Sequence, residues 1–509
     1  MEMLQAMGQG LSYIMNPAAF LIIFLMIIYG IIIGILPGIG ILVAMVLVLP
    51  ICLTLPMPLA LIMLGSIGGA CGFAGSIVAI LINIPGENTS VATLLDGYPM
   101  TKKGEAGRAI GATGMALTMS YVVAIALMVA LIPALRAIVK ACGSAEQWGL
   151  VLVGVSFVAV LGGRGGPIRG LISGLLGFML SFIGFQATTG LGRFTFGSVY
   201  LYSGLSFITV VLALFGTPEV INIGASGGIV EAKYQMPSFK ALFLGMWVGA
   251  LDVFHNFWLW FRSFLIGWVV GIAPGVGAAT AIWIGYGQAK KSSKHPELFG
   301  TGIVEGVIGP EAARGSTGPG NLLTTIAFGI PGGAANVIML GLWMMLGLTP
   351  GPAMLKEHLD ICFLIILAPV VAHIFGYAVL FALARPLLAL VYLKGVYLVP
   401  TVTFLVVIGA FVATNEPLEL VVLAILSVLG YFMRKYDYSP AGLLLGFILG
   451  ALFEKSFFVS LNVYGWGFLL RPIVIVLILL SIYASVGPQL RYGAGRLIQG
   501  TADRLRGGG

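Results

Sequence analysis

Two nearly identical strings of glycine and proline interrupt apolar runs and point to ion binding by the backbone. GILPGIG occupies residues 34–40 and GIAPGVG occupies residues 271–277, an offset of 237 residues. Proline and glycine end a helix, and the N–H groups at the start of the next half-helix carry a partial positive charge that suits a carboxylate. Carbonyl groups freed at the same break suit a cation. The strings therefore predict broken helices that offer sites for both.

A second pair of strings follows the first and indicates an internal duplication. GSIVAILINIPG occupies residues 75–86 and GNLLTTIAFGIPG occupies residues 320–332, with their IPG triplets 246 residues apart. One repeated heptapeptide can arise by chance in a chain with 73 glycines. Two unlike strings in the same order favour duplication, with the broken elements of each repeat meeting near the centre of a membrane. The alternative is that each string marks only a kink, since glycine and proline are common in membrane helices.

The chain around these strings is too apolar for a soluble protein. Of its 509 residues, 59% are hydrophobic and 9% are charged, whereas soluble domains carry about a quarter charged residues. No Asp, Glu, Lys, Arg or His lies between Glu2 and Glu87. Because a helix crosses the hydrocarbon with about 20 apolar residues, the fold class expected is an all-α polytopic membrane protein.

The apolar runs set the expected organisation. About 12 to 15 hydrophobic segments are expected, several of them too short or broken for a simple crossing. They include runs at 41–64, 66–84, 241–272 and 316–348. The polar stretch at 217–240 divides the chain near its middle. We expect a first membrane repeat at 1–216, a polar linker at 217–240, a second membrane repeat at 241–487 and a basic cytoplasmic tail at 488–509.

The basic residues predict the orientation in the membrane. The net charge is +8, but the lysines and arginines lie in short clusters between apolar runs, where the positive-inside bias places them. We therefore expect these loops and the tail in the cytoplasm, and no nucleic-acid partner. The clusters are Lys102, Lys103 and Arg108; Lys290, Lys291 and Lys294; Arg434 and Lys435; and Arg491, Arg496, Arg504 and Arg506. The first span lacks a cleavage site and is expected to be retained.

Signals for catalysis or metal binding are weak. The four cysteines, Cys52, Cys71, Cys142 and Cys362, are scattered and predict neither a disulfide framework nor a metal site. GASGG at residues 224–228 fits the form of a nucleophile elbow, but an elbow needs a strand before it and a positioned histidine. We expect no enzyme activity, no metal and no cofactor.

Longer strings carry a family resemblance. ENTSVATLLDGYPMTKKGEAGRAIG at 87–111, GVIGPEAARGSTGPG at 306–320 and FGIPGGAANVIMLGLWMMLGLTPGP at 328–352, together with the strings at 34–40 and 271–277, resemble the large membrane subunit of the tripartite tricarboxylate transporter family. The similarity runs over about residues 20–470.

The resemblance implies a function and partners. It implies a secondary transporter of the bacterial inner membrane that is driven by a Na⁺ or H⁺ gradient and imports mostly di- and tricarboxylates. It also implies a small membrane subunit and a periplasmic solute-binding protein as partners in the lipid bilayer and the periplasm. Inverted repeats are likewise an expectation from the family.

The family motif assigns candidate residues position by position. The substrate-binding residues it implies are Pro85, Gly86, Asn88, Thr89, Ser90, Pro331, Gly332, Gly333, Asn336 and Arg314. The residues expected to break helices or couple the ion are Gly38, Gly40, Gly275, Gly277 and Glu311.

The sequence departs from the family at Arg314. Arg314 and Gly315 stand where the family has asparagines after its Pro-Glu-Ala-Ala string, and the family's acidic residue is missing from GFQATTGLGRFTFG at 184–197. These differences count against citrate as the substrate. Two interpretations of Arg314 remain open: a clamp on a substrate carboxylate, or a structural ion pair with Glu311, three residues earlier.

Two further alternatives remain. Asp252 and His255 share a helical face and would suit a proton relay, or they lie at the membrane interface beside Trp258 and Trp260. A channel-type pore for small anions is the alternative function, because broken helices also build pores. Duplication within one chain favours alternating access around a single site.

Overall fold

The computed structural model describes residues 2–36, 40–140, 142–157, 166–186, 190–226, 239–274, 277–388 and 395–485. Regular structure in these ranges is almost entirely helical. The strands among them, β1 (Gly184–Phe185) and β2 (Gly192–Arg193), form one short antiparallel pair. The all-α class expected from the sequence is confirmed.

The described part of the chain up to residue 226 begins with a capped membrane helix. Asn16 accepts a hydrogen bond from the Ala18 N–H (3.0 Å) and Pro17 takes the first helical position, so α2 starts where the apolar run starts. The helices are α1 (Glu2–Ile14), α2 (Pro17–Ile35), α3 (Gly40–Cys52), α4 (Met57–Ile82), α5 (Val91–Lys102), α6 (Ala106–Lys140), α7 (Ser144–Ser156), α8 (Gly166–Leu180), α9 (Phe207–Val211) and α10 (Thr217–Ser226). A π-helical turn, Leu212–Gly216, joins α9 to α10.

The later part of the chain begins with two helices that meet at a bend of 79°. They are α11 (Phe239–His255) and α12 (Phe257–Ile272). The others are α13 (Gly277–Ser292), α14 (Glu305–Phe328), α15 (Ala334–Met345), α16 (Pro352–Glu357), α17 (Leu359–Leu388), α18 (Gly395–Thr414), α19 (Leu418–Lys435), α20 (Pro440–Tyr464) and α21 (Pro472–Ser485).

Long and short helices are mixed, as the sequence led us to expect. Among the described residues, 5 helices are long and apolar enough to cross a membrane, and 6 if the bent α11–α12 pair counts as one span. The five are α2, α4, α6, α17 and α20. Shorter apolar helices such as α3, α15 and α21 fall below a full crossing length.

Two expected segment boundaries are wrong. The sequence predicts a division near residue 65, between the runs at 41–64 and 66–84. In the structure the division lies earlier, because α3 ends at Cys52 and α4 continues without a break from Met57 to Ile82. The proline that precedes α4, Pro56, cannot continue the earlier helix but suits the start of the next. The run at 316–348 is split in two by a left-handed turn at Gly329.

The expected polar linker begins as a helix. Residues 217–226 form α10, where Thr217 accepts a hydrogen bond from Ser427 (2.9 Å) and Glu219 pairs with Arg434 (2.6 Å). Polar side chains that bond across to α19 let this helix pack among apolar neighbours. The GASGG string begins inside α10, so no strand precedes it. Residues 227–238 lie outside the described residues, and the division into two repeats stays a prediction.

Close glycine packing joins α2 to α4 and α12 to α14 in the same way. A Cβ on Gly34 would lie 2.5 Å from the carbonyl oxygen of Cys71, and a Cβ on Gly271 would lie 2.5 Å from that of Thr317. Small residues allow membrane helices to approach this closely. The same packing occurs one turn earlier, where Gly30 lies against Ile67 and Gly267 against Ala313. The glycines of the two helix pairs are 237 residues apart and their contact partners are 246 residues apart, which are the offsets of the two repeated strings.

The earlier and later helices interlock around a buried centre. α1 packs on α17 and α11 packs on α6, so each of the two parts covers the other. In the most hydrophobic 18-residue stretch of α4, 89% of the residues are buried, whereas only 28% are buried in the corresponding stretch of α6. The ends of α4 and α14, with the breaks that follow them, therefore lie at the centre of the protein.

Candidate functional site

The first break folds the chain back onto α4. Asn83 ends α4 in the left-handed conformation (φ 60°), and the Gly86 N–H then donates to the carbonyl of Gly75 (3.3 Å). A Cβ on Gly86 would lie only 2.5 Å from the Cα of Gly75. Glycine is therefore the residue that this close approach allows.

The second break has the same construction. Gly329 ends α14 with φ 69°, and a Cβ on Gly332 would lie 2.6 Å from the Cα of Asn321. Gly86 and Gly332 thus fold back on residues that precede them by the same sequence distance. α15 starts just beyond, so its first N–H groups, which lack partners within the helix, lie at the break.

The two Pro-Gly-x-Gly strings also end in matching conformations. Gly40 (φ 60°) begins α3 and Gly277 (φ 72°) begins α13, both in the left-handed region that glycine favours. Gly38 and Gly275 lie outside the described residues.

A cavity of about 220 Å³ lies between the breaks. Side chains from the first and second halves of the chain line it together. Its polar lining comes from Glu87, Thr89, Tyr121, Arg314, Asn321, Asn336 and His373. Its apolar lining includes Ile41, Met45, Leu64, Leu117, Leu322 and Met339. A concave site with apolar walls and a few convergent polar groups is the usual form of a small-molecule site.

Arg314 lies in the cavity wall, where its guanidinium makes an ion pair that the sequence did not predict. Its Nη2 donates to Glu87 Oε2 at 2.9 Å, while Glu311 Oε2 is 3.7 Å from Nη1. Nη1 also donates to the carbonyl of Gly72 (3.0 Å) and to Ser76 Oγ (2.8 Å). The structural pair proposed with Glu311 is therefore the weaker contact, and Glu87 is the main partner.

Glu87 is the residue that the sequence analysis missed. Its Oε2 also accepts from Thr89 Oγ1 (3.0 Å), its Oε1 accepts from the Cys71 thiol (3.3 Å), and its side chain is 8% exposed. The signal was present, because Glu87 is the first ionisable residue after the long uncharged stretch and directly follows the IPG string.

Glu311 lies deeper and joins three helices. The side chain is fully buried, and its Oε1 accepts from Ser76 (2.6 Å) and Thr93 (2.5 Å). Among the described residues, no hydrogen-bond donor reaches its Oε2. Ser76 accepts from Arg314 and donates to Glu311, so it links the two charged side chains.

The two asparagines bring amide groups to the second break. Asn336, in the first turn of α15, is 6% exposed and lines the cavity. Asn321 also lines it, and its Oδ1 has no hydrogen-bond partner in the described part of the chain. An amide with a vacant acceptor or donor at a cavity wall suits a polar ligand.

The residues implied by the family resemblance separate into groups. Thr89, Arg314 and Asn336 line the cavity. Asn88 is exposed, and Ser90 is buried, where its hydroxyl donates to the Glu87 carbonyl (2.8 Å) and so closes the turn. The remaining residues supply backbone at the breaks and are Pro85, Gly86, Pro331, Gly332 and Gly333.

A histidine that the sequence analysis did not single out completes the cavity wall. His373 of α17 is 4% exposed, and its ring stacks on Tyr121 with centroids 3.6 Å apart. Its Nδ1 lies 2.8 Å from the carbonyl oxygen of Pro369, one turn earlier. Inside a long apolar run, a lone histidine gives no sequence signal of what it faces.

Asp96, in the DGYPM string, has a structural role. Its Oδ1 accepts from the N–H groups of Gly300 (2.8 Å), Gly302 (2.9 Å) and Ile303 (3.2 Å), and its Oδ2 from the Tyr286 hydroxyl (2.9 Å). This buried carboxylate fixes the connection between α13 and α14 against α5.

One residue of the first basic cluster contacts the connection between α13 and α14, which contains Lys294 of the second cluster. Lys103 Nζ donates to the carbonyl of Gly302 (3.3 Å) in that connection. The side of the membrane that these clusters face stays a prediction.

The proposed relay of Asp252 and His255 is not favoured. Arg108 donates to both oxygens of Asp252, from Nε at 2.5 Å and from Nη2 at 3.2 Å, and so joins α6 to α11. His255 is exposed, as is Trp258, while Trp260 is buried. A bidentate pair of this kind orients helices more readily than it releases protons.

Apolar helices long enough to cross a membrane, with broken helices around a central cavity, define an α-helical polytopic membrane protein. The chain belongs to the tripartite tricarboxylate transporter TctA family, whose sequence profile matches residues 20–445. It is therefore a component of a tripartite tricarboxylate transporter.

Two relatives come from Agrobacterium vitis. One, described as an uncharacterised 52.8 kDa protein in the TAR-I ttuC′ 3′ region, is 28% identical over 460 residues, which cover 89% of each chain. The other, an uncharacterised protein in the TAR-II ttuC′ 3′ region, is 30% identical over 194 residues, 37% of this chain and 78% of the relative. No solved structure matches the chain significantly.

Proposed function

We propose that the chain is the large membrane subunit of a carrier that imports a small organic di- or tricarboxylate across the bacterial inner membrane. The observation that carries the proposal is the cavity of about 220 Å³, to which both breaks contribute. A cavity shared by two halves of a carrier can open to either side as the halves move against each other.

The anion is held by donors from both halves. Arg314 offers a guanidinium and Asn336 offers an amide, while the hydroxyl of Thr89, which donates to Glu87 in the structure, lines the same wall. The N-terminus of α15 adds N–H groups and a partial positive charge. A carboxylate can therefore be bound with few basic side chains.

The coupling cation is Na⁺ or H⁺, and the buried carboxylates of Glu87 and Glu311 beside Arg314 are the groups that can bind it. Glu311 Oε2 accepts no hydrogen bond from the described residues. A small membrane subunit and a periplasmic solute-binding protein complete the system, and the binding protein delivers the substrate.

We also propose that the two halves are inverted repeats. Gly72 and Ser76 of α4 bond to Arg314 and Glu311 of α14, so equivalent helices of the two halves face the same site. The matched glycine contacts of α2 with α4 and of α12 with α14 support the same relation. An inverted duplication predicts that such equivalent helices run in opposite directions across the membrane.

Gene deletion tests the proposed function. The neighbouring genes are searched for a solute-binding protein, that protein is screened against di- and tricarboxylates by thermal shift, and uptake of the carboxylate that stabilises it is measured in cells. Cells without the gene are expected to lose this uptake and to regain it on complementation. Undiminished uptake in the deletion strain would contradict the proposal.

A further inference from the structure

We propose that Glu87 is the proton acceptor of the carrier: it pairs with Arg314 in the cavity wall, and it takes up a proton when a substrate carboxylate replaces it there. The inference rests on the proposed function, because it requires a carboxylate in the same cavity. It assigns the coupling cation as H⁺ and places it on a residue that no sequence motif singled out.

The geometry makes Arg314 the fixed member of the pair and Glu87 the exchangeable one. Arg314 is anchored independently of Glu87, through the Gly72 carbonyl and Ser76 on α4. Glu87 lies on the break between α4 and α5, and its other contacts are a hydroxyl and a thiol. If Glu87 turns away, the guanidinium stays in the cavity wall with Nη2 free to bind another carboxylate.

Charge balance explains why a proton accompanies the substrate. Arg314 and Glu87 are each 8% exposed at the side chain, and the fully buried Glu311 lies 3.7 Å from the same guanidinium, so one positive charge already faces two buried carboxylates. A substrate carboxylate that pairs with Arg314 leaves Glu87 buried without its counter-ion, close to a second anion. A buried carboxylate in that position neutralises by protonation.

The step is balanced in charge and atoms. A proton from water binds an oxygen of Glu87, the ion pair with Arg314 breaks, and the substrate carboxylate forms a new pair with the same guanidinium. Release on the cytoplasmic side reverses the step and returns the proton to water. One proton is then carried for each substrate carboxylate bound at Arg314.

The surroundings of Glu87 favour a proton over a metal cation. The titratable and charged groups that face it are Cys71 on α4, Arg314 and Glu311 on α14, and, across the cavity, Tyr121 on α6 and His373 on α17. A thiol and a guanidinium contact its oxygens, whereas hard cations take a shell of oxygen ligands.

The variant Glu87→Gln tests the inference, because glutamine imitates the protonated acid and cannot release a proton. Wild type and variant are reconstituted in proteoliposomes with the small subunit and the binding protein. Radiolabelled succinate, citrate and the carboxylate that stabilises the binding protein serve as probes. An inward gradient of about one pH unit can raise wild-type accumulation about tenfold for one proton carried.

Glu87→Gln is expected to lose this accumulation while it still exchanges internal for external probe, and its exchange should no longer depend on pH. Accumulation equal to that of the wild type would overturn the inference. So would accumulation driven by a sodium gradient alone, or loss of exchange in a variant that remains folded by size-exclusion chromatography. The matched control is Glu297→Gln, on an exposed loop, which is expected to behave as wild type.

A second measurement does not depend on the variant's folding. Addition of a transported probe to wild-type carrier in weak buffer should take up about one proton for each molecule bound, and no proton uptake would overturn the inference. If the wild type, with its partners present, moves no carboxylate that its binding protein binds, the proposed function fails. If it moves one but Glu87→Gln still accumulates it as the wild type does, only the inference fails.

Discussion

Arg314 shows how one side chain changes what a cavity can bind. Its guanidinium reaches Glu87 at 2.9 Å and the Gly72 carbonyl at 3.0 Å, so it is oriented before any substrate arrives. A planar guanidinium held in this way can bond to both oxygens of a carboxylate, which the flexible ammonium of a lysine does less well. The departure from the family pattern at this position therefore bears directly on the substrate.

Arg314→Lys is expected to weaken substrate binding about tenfold, or about 1.4 kcal/mol, because lysine keeps the charge but cannot bond with two nitrogens at once. The measurement is the half-saturation concentration for uptake in proteoliposomes. Arg434→Lys is the matched control, since Arg434 pairs with Glu219 away from the cavity. An unchanged half-saturation value for Arg314→Lys would remove Arg314 from the binding site.

The sequence predicted some residues of the site and missed others for identifiable reasons. Arg314 and Asn336 were predicted because they lie in strings that resemble the family's motifs. Glu87 directly follows a repeated string as well, but no motif position assigned it a role. His373 reaches the cavity through the packing of α17, which local sequence does not encode.

At the scale of elements, the breaks are set by backbone contacts. Gly86 rests on Gly75 and Gly332 rests on Asn321, in each case too closely for a side chain to fit between. Each contact places the start of the following helix at the cavity. The conformation of the break therefore depends on glycine at these two positions.

Gly86→Ala and Gly332→Ala are expected to abolish uptake while the protein remains inserted, because the added methyl must displace backbone at the break. Gly8→Ala is the control, since a Cβ there would meet no atom within 4 Å. Uptake is compared at equal amounts of membrane-inserted protein. Normal transport by both break variants would reduce the strings to simple kinks.

Sequence patterns located the breaks better than the helix ends. Pro-Gly strings mark left-handed turns because few other residues adopt them, and Gly40 and Gly277 have this conformation. The boundary between α3 and α4 was placed wrongly, since hydrophobicity is uniform across residues 41–84 and gives no period to follow. The helical form of 217–226 depends on partners in α19 that sequence alone does not reveal.

At the scale of the whole molecule, the interlocked halves make one central site. α1 covers α17 and α11 covers α6, while side chains of α4 and α14 bond to each other in the middle. The exposed large apolar side chains of the outer helices, such as Trp258, Phe404 and Leu470, suit contact with lipid. This arrangement fits alternating access, because one cavity is shared by two parts that can move against each other.

Uptake by proteoliposomes that contain this chain and its small partner subunit tests the central claim most directly. The substrate-loaded binding protein and an imposed cation gradient are supplied together, singly or not at all. We expect concentrative uptake only when the substrate-loaded binding protein and the cation gradient are both present. Entry at full rate down the solute's own gradient, without binding protein or cation, would contradict a coupled carrier and identify the protein as a channel.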